Sequence, residues 1–599
     1  MILVKNKIYS YKDMVTMAFM ASPMYTTFWI LQDILFALLP VILVYVVSIL
    51  IDTVFAIYDN AATTFSLYVI VVSLIILILL DRVRKTCLSL LETRRRIFFR
   101  SKLFPKIIEQ YASLRYKYIE NDTSLDMLKR ISIMRFDIVI WKMFTNVTSM
   151  LYYVIYITSM IIFLSSYLWW LGLTVFISSI PLALISLKSG KKTYGVDRVT
   201  SELNRWADSF SQQINKREAF EERYLFETTD ELNARYMRAY ESERKQRLMA
   251  NISWYAKSKA GGIVVVLYCL TTLLLLLPSV LDGTTSLGAY IAITGGLLSM
   301  ATQLSYGVGW MLESMIYDKE YLNDLTDFMG MERQEGATDL PVHIDFDRME
   351  FKDVSFKYPN TDKYVLSNCS FTIEKGKKYA FVGANGAGKS TLIKLITGLY
   401  DNYEGEILID NKPLRDLSTS EIKGLASVVY QDFVRYSVSI RDNVTLPLSH
   451  EQHVALVDVL RLVGLNETIQ NLPNGTDSQL GKLFNDGIDL SGGEWQRLAM
   501  ARCVWNASVL KIFDEPTASL DPLAENEIYK KFEEIIEGKT AILISHRLAS
   551  TKMVDSILVL DNGIIVELGH HTALMASKGL YYDMFISQSS WYNKVSKEK

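Results

Sequence analysis

The chain has 599 residues, of which 50% are hydrophobic, 21% charged and 12% aromatic. Its mean hydropathy is +0.16. A length several times the roughly 100–200 residues of one domain, with a charged fraction below the about 25% of soluble chains, argues against a single compact soluble core. Lys and Arg number 63 against 65 Asp and Glu, a formal charge of −2, so no basic excess points to nucleic acid. The apolar and aromatic content excludes intrinsic disorder. Cys87, Cys269, Cys369 and Cys503 lie far apart without CxxC or Cys/His spacing, which reads as buried free thiols rather than a disulfide framework or zinc site.

The opening residues are polar, and no cleavable signal peptide is expected. Tyr11 to Ala21 reads as an amphipathic helix lying at the inner membrane interface, stopped by Pro23. Six segments then approach the ~20 apolar residues needed to cross a ~30 Å hydrocarbon core: Thr27–Ile51, Phe65–Leu80, Met143–Leu164, Leu168–Leu187, Gly261–Leu281 and Ser286–Leu312. Ser165, Ser166 and Tyr167 alone separate the third from the fourth, which predicts a tight hairpin. A large soluble helical domain is the alternative, but a stretch such as YVIVVSLIILILL has no polar face to show water.

The loops near 51–64, 164–168 and 279–286 contain no Lys or Arg, whereas Arg82, Arg84, Lys85, Lys142, Lys188, Lys191, Lys192, Lys257 and Lys259 flank the opposite ends. The positive-inside rule therefore places both termini and two long loops in the cytoplasm of a multi-pass cell-membrane protein. Heptad-like apolar positions in those loops, 81–142 and 188–259, predict membrane helices that continue well into the cytoplasm. The expected fold is multi-domain: an all-α six-helix transmembrane domain over 1–325, a polar linker over 326–346, and an α/β P-loop ATPase domain over 347–592.

In that last part, Gly383-Ala384-Asn385-Gly386-Ala387-Gly388-Lys389-Ser390 follows the strand-like KYAFV and precedes the helix-like TLIKLITGL that opens at Thr391. This is the strand, glycine loop, helix context of a phosphate-binding loop. Its backbone N–H groups and helix N-terminus suit ATP phosphates, Lys389 reaches the β and γ phosphates, and Ser390 suits Mg2+. Downstream, VLKIFDEP delivers Asp514 and Glu515 from an apolar strand. The first suits Mg2+ and the second suits activation of the attacking water.

Between these lies Leu490-Ser491-Gly492-Gly493-Glu494, leading into WQRLAMAR. This segment resembles the signature of ATP-binding-cassette ATPases, and with six preceding spans the whole chain resembles an ABC exporter half-transporter. The resemblance implies that Tyr358, in FKYP, stacks on adenine, that Gln431 senses Mg2+ and touches the membrane domain, that 518–521 form the D-loop, and that His546, in ISHRL, contacts the γ-phosphate. It also implies that each ATP lies between one P-loop and the signature Ser491–Glu494 of a second cassette. A dimer is therefore expected, with coupling helices near 116–121 and 217–223. Glu515, His546 and the signature are all present, which favours two equivalent sites in a homodimer; a heterodimer stays open.

Two residues depart from the family pattern. Lys511 interrupts the apolar strand where an aliphatic residue is usual, so it is expected to snorkel to a strand end or to face a partner. Lys482 stands where many drug exporters of this type carry a glutamate.

QDFVRYSVSIRDNV and FNDGIDLSGGEWQR resemble exporters of modified peptides, including lantibiotic exporters, and the bacterial cell membrane is the implied setting. Because the membrane domain starts early in the sequence, no N-terminal cysteine peptidase is expected. Intramembrane Gln32, Asp33, Gln303, Ser305 and Tyr306 are substrate-path candidates; for Asp33 an interfacial position serves equally. Tyr152, Tyr153 and Tyr156 fit either a substrate path or an interface belt. The function expected is ATP-driven export of a peptide or amphipathic small molecule, with a lipid flippase or an ATP-gated channel or regulatory ATPase as alternatives.

Overall fold

The computed structural model describes residues 7–131, 133–171, 203–216, 219–446, 455–482, 487–516, 533–545 and 548–595, together with 177 and 200. The chain forms two compact units, Met1–Gln110 with Leu125–Met331, and Tyr111–Ser124 with Glu332–Lys599.

The first unit is helical. Its first helix is Tyr11–Ala21. The Asp13 carboxylate accepts from both the backbone N–H and the hydroxyl of Ser10, at 2.9 and 2.8 Å, fixing where that helix begins. Pro23 opens the next helix, where its missing N–H costs nothing. The first expected span is broken, with helices Pro23–Phe36 and Leu39–Tyr58 in place of one continuous segment. Pro40 explains the break, because its ring crowds the preceding turn and it cannot donate an i→i−4 bond.

The second span belongs to a 49-residue helix, Thr64–Ala112, and the fifth to a 53-residue helix, Thr229–Leu281. At 1.5 Å per residue these are roughly 74 and 80 Å long, more than twice a bilayer core. Long helical extensions are thus present.

The third span is carried by Ile133–Tyr167, which passes straight through Ser165 and Ser166. The Ser166 hydroxyl satisfies the Phe163 carbonyl at 2.7 Å inside the helix, so the turn toward the fourth span comes after Tyr167 and not at 165–167. Beyond Leu171 the fourth span, Ile177 apart, lies outside the described residues. The sixth is not one α-helix but Leu287–Thr302, a π-helical turn Gln303–Val308, and Gly309–Gly330. Among the described residues, Pro23–Tyr58, Thr64–Ala112 and Phe136–Tyr167 are long and apolar enough to cross a membrane, with shorter apolar helices at Val266–Leu281 and Leu287–Thr302.

Polar side chains fasten these helices to one another. Asp52 accepts from the Ser286 hydroxyl at 3.0 Å and the Gly288 N–H at 2.9 Å, capping Leu287–Thr302. A Cβ at position 288 would lie 2.4 Å from the Ser48 carbonyl, so only glycine permits this approach. Buried Asn146 donates to Ser314 at 2.9 Å and to Asp318 at 2.6 Å.

The second unit contains two sheets. Strands β1 (Arg348–Phe356), β2 (Leu366–Glu374), β4 (Glu404–Ile409) and β5 (Lys412–Pro413) form an antiparallel sheet in the order β2-β1-β4-β5. Strands β3 (Lys378–Gly383), β6 (Ala426–Val429), β7 (Leu510–Asp514), β8 (Thr540–Ile544), β9 (Ser556–Asp561) and β10 (Ile564–Gly569) form the other, in the order β10-β9-β3-β8-β7-β6. It is parallel except for β10. β7 and β8 are buried along their whole length, as strands covered on both faces must be. Parallel pairing brings the carboxyl ends of β3, β7 and β8 to one edge of the sheet, where α/β folds bind ligands.

Candidate functional site

The phosphate-binding loop leaves β3 at Gly383 and enters the helix Lys389–Ile396. A Cβ on Gly383 would stand 2.3 Å from the Leu560 carbonyl, and Gly388 sits at φ +106°, a conformation open to glycine but strained for other residues. Ala384, Asn385 and Gly386 form the exposed crest of the loop, while Ala387 and Gly388 are buried beneath it. Lys389 crosses the loop and donates to the carbonyls of Gly383 and Ala384 at 2.8 and 2.9 Å. Burial pulls its pKa down, opposed by the charges of Glu515 and Asp514.

Across from the loop, the Ser390 hydroxyl lies 3.5 Å from Asp514 Oδ2. The Asp514 carboxyl is pushed up to about 6 by burial and then by its neighbour Glu515, against the pull of Ser390 and Lys389. A buried, proton-attracting carboxylate beside a hydroxyl is a hard-oxygen donor pair short of positive charge, which fits Mg2+. Glu515 adopts φ +49°, a left-handed conformation that costs a non-glycine residue about 1 kcal/mol or more. Its N–H donates to the Ile544 carbonyl at 2.9 Å, and its own carbonyl accepts from Gln496 Nε2 at 3.2 Å.

Tyr358 is half-buried beside the loop, its hydroxyl 3.0 Å from that of Thr391. Its ring meets Phe356 and Tyr400 edge-on, at 5.1 and 5.6 Å, and Lys394 Nζ lies 5.1 Å from the ring centre. Gln431 stands exposed in the turn after β6.

The signature opens the helix Gly492–Trp505 with Ser491 as N-cap. Ser491 is exposed, and its N–H and hydroxyl both donate to Glu494 Oε2 at 2.8 Å. Glu494 also accepts from Thr468 at 2.8 Å. Burial raises the Glu494 pKa, but the bonds from Ser491 and Thr468 outweigh it and hold the carboxyl below its usual range. Glu494 therefore shapes the helix start, leaving Ser491 and the N–H groups of Gly492 and Gly493 at the N-terminus. Residues 518–521 and His546 lie outside the described residues.

Lys511 neither snorkels to a strand end nor pairs with an acid. It is 1% exposed, and its Nζ donates to the Cys503 carbonyl at 2.8 Å, the Asn506 carbonyl, and the hydroxyls of Ser427 and Ser508, each at 3.1 Å. The helix Gly492–Trp505 ends there, and its negative dipole end faces the ammonium. Burial lowers the Lys511 pKa to about 8, with Lys539 adding to the effect and Cys503 opposing it. Lys482 is exposed.

The short helix Tyr116–Glu120 falls where the first coupling helix is expected and packs on the second unit. Tyr116 meets Tyr400 edge-on at 5.5 Å, and Arg115 pairs with Asp401 at 2.9 Å. Tyr116 and Ile119 also line a cavity of about 710 Å³ together with Leu340, Tyr430, Arg502 and Cys503. The second helix of this kind is Phe220–Leu225, which leaves Phe220, Tyr224 and Leu225 exposed; residues 217–218 lie outside the described residues. Lys394, Tyr400 and Glu120 carry no motif of their own, and Gln496 lies in the WQRLAMAR run with no role assigned to it, so the sequence does not single them out.

Of the membrane candidates, Gln32 donates to Asp33 and accepts from Arg84 at 2.7 Å, forming a polar cluster between two helices. Tyr156 is fully buried against Ser299 at 3.0 Å, whereas Tyr152 and Tyr153 are half-buried. Gln303 lies in the π-helical turn, and the side chains of Ser305 and Tyr306 lie outside the described residues.

Residues 366–518 match the family model described as ABC transporter. The chain is 27% identical over 510 residues to the subtilin transport ATP-binding protein SpaT of Bacillus subtilis, covering 83% of this chain and 81% of that one. It is 37% identical over 243 residues to the ATP-dependent lipid A-core flippase of Saccharophagus degradans, spanning only 41% of each protein. In fold it is similar to a bacterial Atm1-family ABC exporter solved with ATP bound, with a TM-score of 0.70 and 22% identity over 93% of this chain and 98% of that one.

Proposed function

We propose, from the premise that the chain belongs to the ABC transporter family, that it is an ATP-driven exporter of peptides whose working form is a dimer with two composite ATP sites. The observation that carries this reading is a division of labour within one unit. The P-loop, Asp514 and Glu515 converge at the carboxyl edge of one parallel sheet, while the exposed Ser491 heads a separate helix N-terminus. That N-terminus suits a phosphate supplied from outside the chain's own loop, and a second copy of the chain supplies one.

Each chain residue then has a task. The N–H groups of 384–389 cradle the phosphates, with Lys389 releasing the Gly383 and Ala384 carbonyls to neutralise β and γ oxygens. Tyr358 offers its ring to the adenine. Ser390 and Asp514, with Gln431 nearby in sequence order after β6, are the residues that would hold Mg2+, which when bound neutralises charge on the transferring phosphoryl group. Glu515 takes the proton of the attacking water, and His546, matching the family's switch histidine in ISHRL, contacts the γ-phosphate. The second cassette's Ser491 and helix N-terminus close over the γ-phosphate. Binding of two ATP molecules favours the closed pair of cassettes and hydrolysis releases it, a shift between two states driven by differential affinity.

Peptide is favoured over lipid because the similarity to the subtilin transporter runs over 510 residues, well beyond a cassette, whereas the flippase match of 243 residues is no longer than one. In this reading the chain spans a bacterial cell membrane with both termini cytoplasmic, which the Lys and Arg asymmetry of its loops supports. Reconstituted in vesicles with cassettes outward, it is expected to accumulate a modified peptide of the lantibiotic type on addition of ATP, with hydrolysis accelerated by that peptide and not by a fluorescent lipid. Lipid translocation without peptide accumulation would assign it as a flippase instead.

A further inference from the structure

The signature helix Gly492–Trp505 is fastened to β7 at both ends. Near its start, Gln496, only 2% exposed, donates to the carbonyl of Glu515 at 3.2 Å. At its finish, Lys511 gathers the Cys503 and Asn506 carbonyls. Gln496 and Cys503 are separated by roughly 10 Å along a helix, and Lys511 and Glu515 by roughly 13 Å along a strand. The two fastenings therefore match in span, with helix and strand lying side by side in opposite directions.

Neither fastening is a loose surface contact. Lys511 has four acceptors, and two of them, Ser427 and Ser508, also bond to each other at 2.7 Å. Ser427 lies in β6 directly opposite Lys511, so the strand leading to Gln431 joins the same knot. At the other end, Glu515 is held in its left-handed conformation through both backbone groups, by Ile544 and by Gln496.

We propose that Gln496 and Lys511 are positioning residues that make the signature helix and the catalytic strand a single lever, so that nucleotide held by a second copy against Ser491 sets the backbone of Glu515 in the chain's own site. The inference rests on the dimeric reading above. Seating or release of Ser491 moves the helix, and no flexible turn lies between Ser491 and either fastening to absorb that movement. The two sites of the dimer thereby sense each other through a rigid element within each chain. Cutting either fastening leaves P-loop, metal ligands and signature in place, and leaves the helix held by its buried side chains and by the Ser427–Cys503 bond at 3.2 Å, but uncouples one end of it from the strand.

The test compares full-length wild type with Gln496→Met and Lys511→Met in vesicles, following ATP hydrolysis against ATP concentration alongside the melting temperature. The expected result is a fall in kcat of about tenfold, a KM within about twofold of wild type, and a Hill coefficient dropping from near two toward one. Neither substitution changes Lys389 or Tyr358, which is why KM is spared. If Lys511→Met does not fold, Gln496→Met decides alone. Variants that keep the wild-type Hill coefficient, losing activity only in step with melting temperature, overturn the proposal. A wild type that hydrolyses ATP as a non-cooperative monomer overturns the dimeric reading itself, and the lever with it.

Discussion

Lys394 Nζ donates to Glu120 Oε1 at 2.7 Å, joining residues 274 apart in the chain. The same ammonium lies 5.1 Å from the ring of Tyr358 and 5.4 Å from that of Tyr116. Tyr400 stands edge-on to both tyrosines and donates its hydroxyl to Glu120. Burial draws the Lys394 pKa down, but the bond to Glu120 together with Tyr358 and Tyr116 more than offsets this and leaves it raised. The residue proposed to hold adenine and the helix expected to couple to transport thus share two neighbours. In Glu120→Ala, both Lys394 and Tyr400 lose their acceptor while the P-loop is untouched. Basal ATP hydrolysis is expected to stay within about twofold of wild type, and peptide-stimulated hydrolysis and transport to fall about tenfold. Parallel vesicle assays check this, and a basal rate falling equally with transport would refute it.

Glu515→Gln keeps the shape of the side chain and removes the proposed base. Turnover should fall about a hundredfold or more, the usual contribution of a general base, with ATP binding retained and dimer dissociation slowed. Equilibrium binding and size-exclusion chromatography with ATP measure both. Full hydrolysis by this variant would remove Glu515 from the mechanism.

Ser491→Ala separates capping from catalysis. Losing an N-cap costs about 1 kcal/mol, or roughly 2–4 °C for a domain of this size. Hydrolysis should fall far more than that loss explains, because Ser491 is exposed and proposed to meet the second copy's nucleotide. Calorimetry and ATPase assays on the same preparation settle the ratio.

Gly383→Ala and Gly386→Ala differ in what the new methyl meets. At 383 it lies 2.3 Å from a backbone carbonyl that cannot step aside; at 386 nothing lies within 4 Å, although φ is +81°. The first is expected to destabilise the second unit by several kcal/mol, and the second by about 1–2 kcal/mol, the cost of the left-handed conformation alone. Denaturant melts rank them.

Lys511 predicts a pH dependence. In the unfolded chain its ammonium holds its proton to about pH 10.4, but in the fold only to about 8. Between those values the unfolded state binds more protons, so this group makes stability rise with pH, and the cost of burying the charge is fully present below about 8. From about pH 7.5 to about 9, wild type should gain about 1 kcal/mol relative to Lys511→Met. Paired thermal melts at the two pH values measure that difference, and no difference between them would show that the buried amine stays charged over this range.

Much of this was legible where chemistry is local. The P-loop, the Asp514–Glu515 pair and the signature are short runs whose residues act on what lies beside them, and the structure puts the first two at one sheet edge. The Tyr11–Ala21 helix is likewise fixed by its own cap. Lys511 was not legible, because its partners come from β6 and from the end of a helix, and strand order alone brings them together. Pro40 was visible but outweighed by the apolar run around it, although a proline just inside a helix start is itself the signal for a break. The π-helical turn has no sequence pattern that distinguishes Gln303–Val308 from its α-helical neighbours.

That turn has a geometric consequence. A π turn holds one residue more than an α turn, and each residue advances a helix by about 100°. Gly309–Gly330 is therefore rotated by about that angle from where an unbroken helix beginning at Leu287 would have carried it. Every side chain on that last helix faces its neighbours in a phase set by a single inserted position. Deleting one residue within 303–308 should restore an ordinary helix and present a different stripe of residues to the same neighbours.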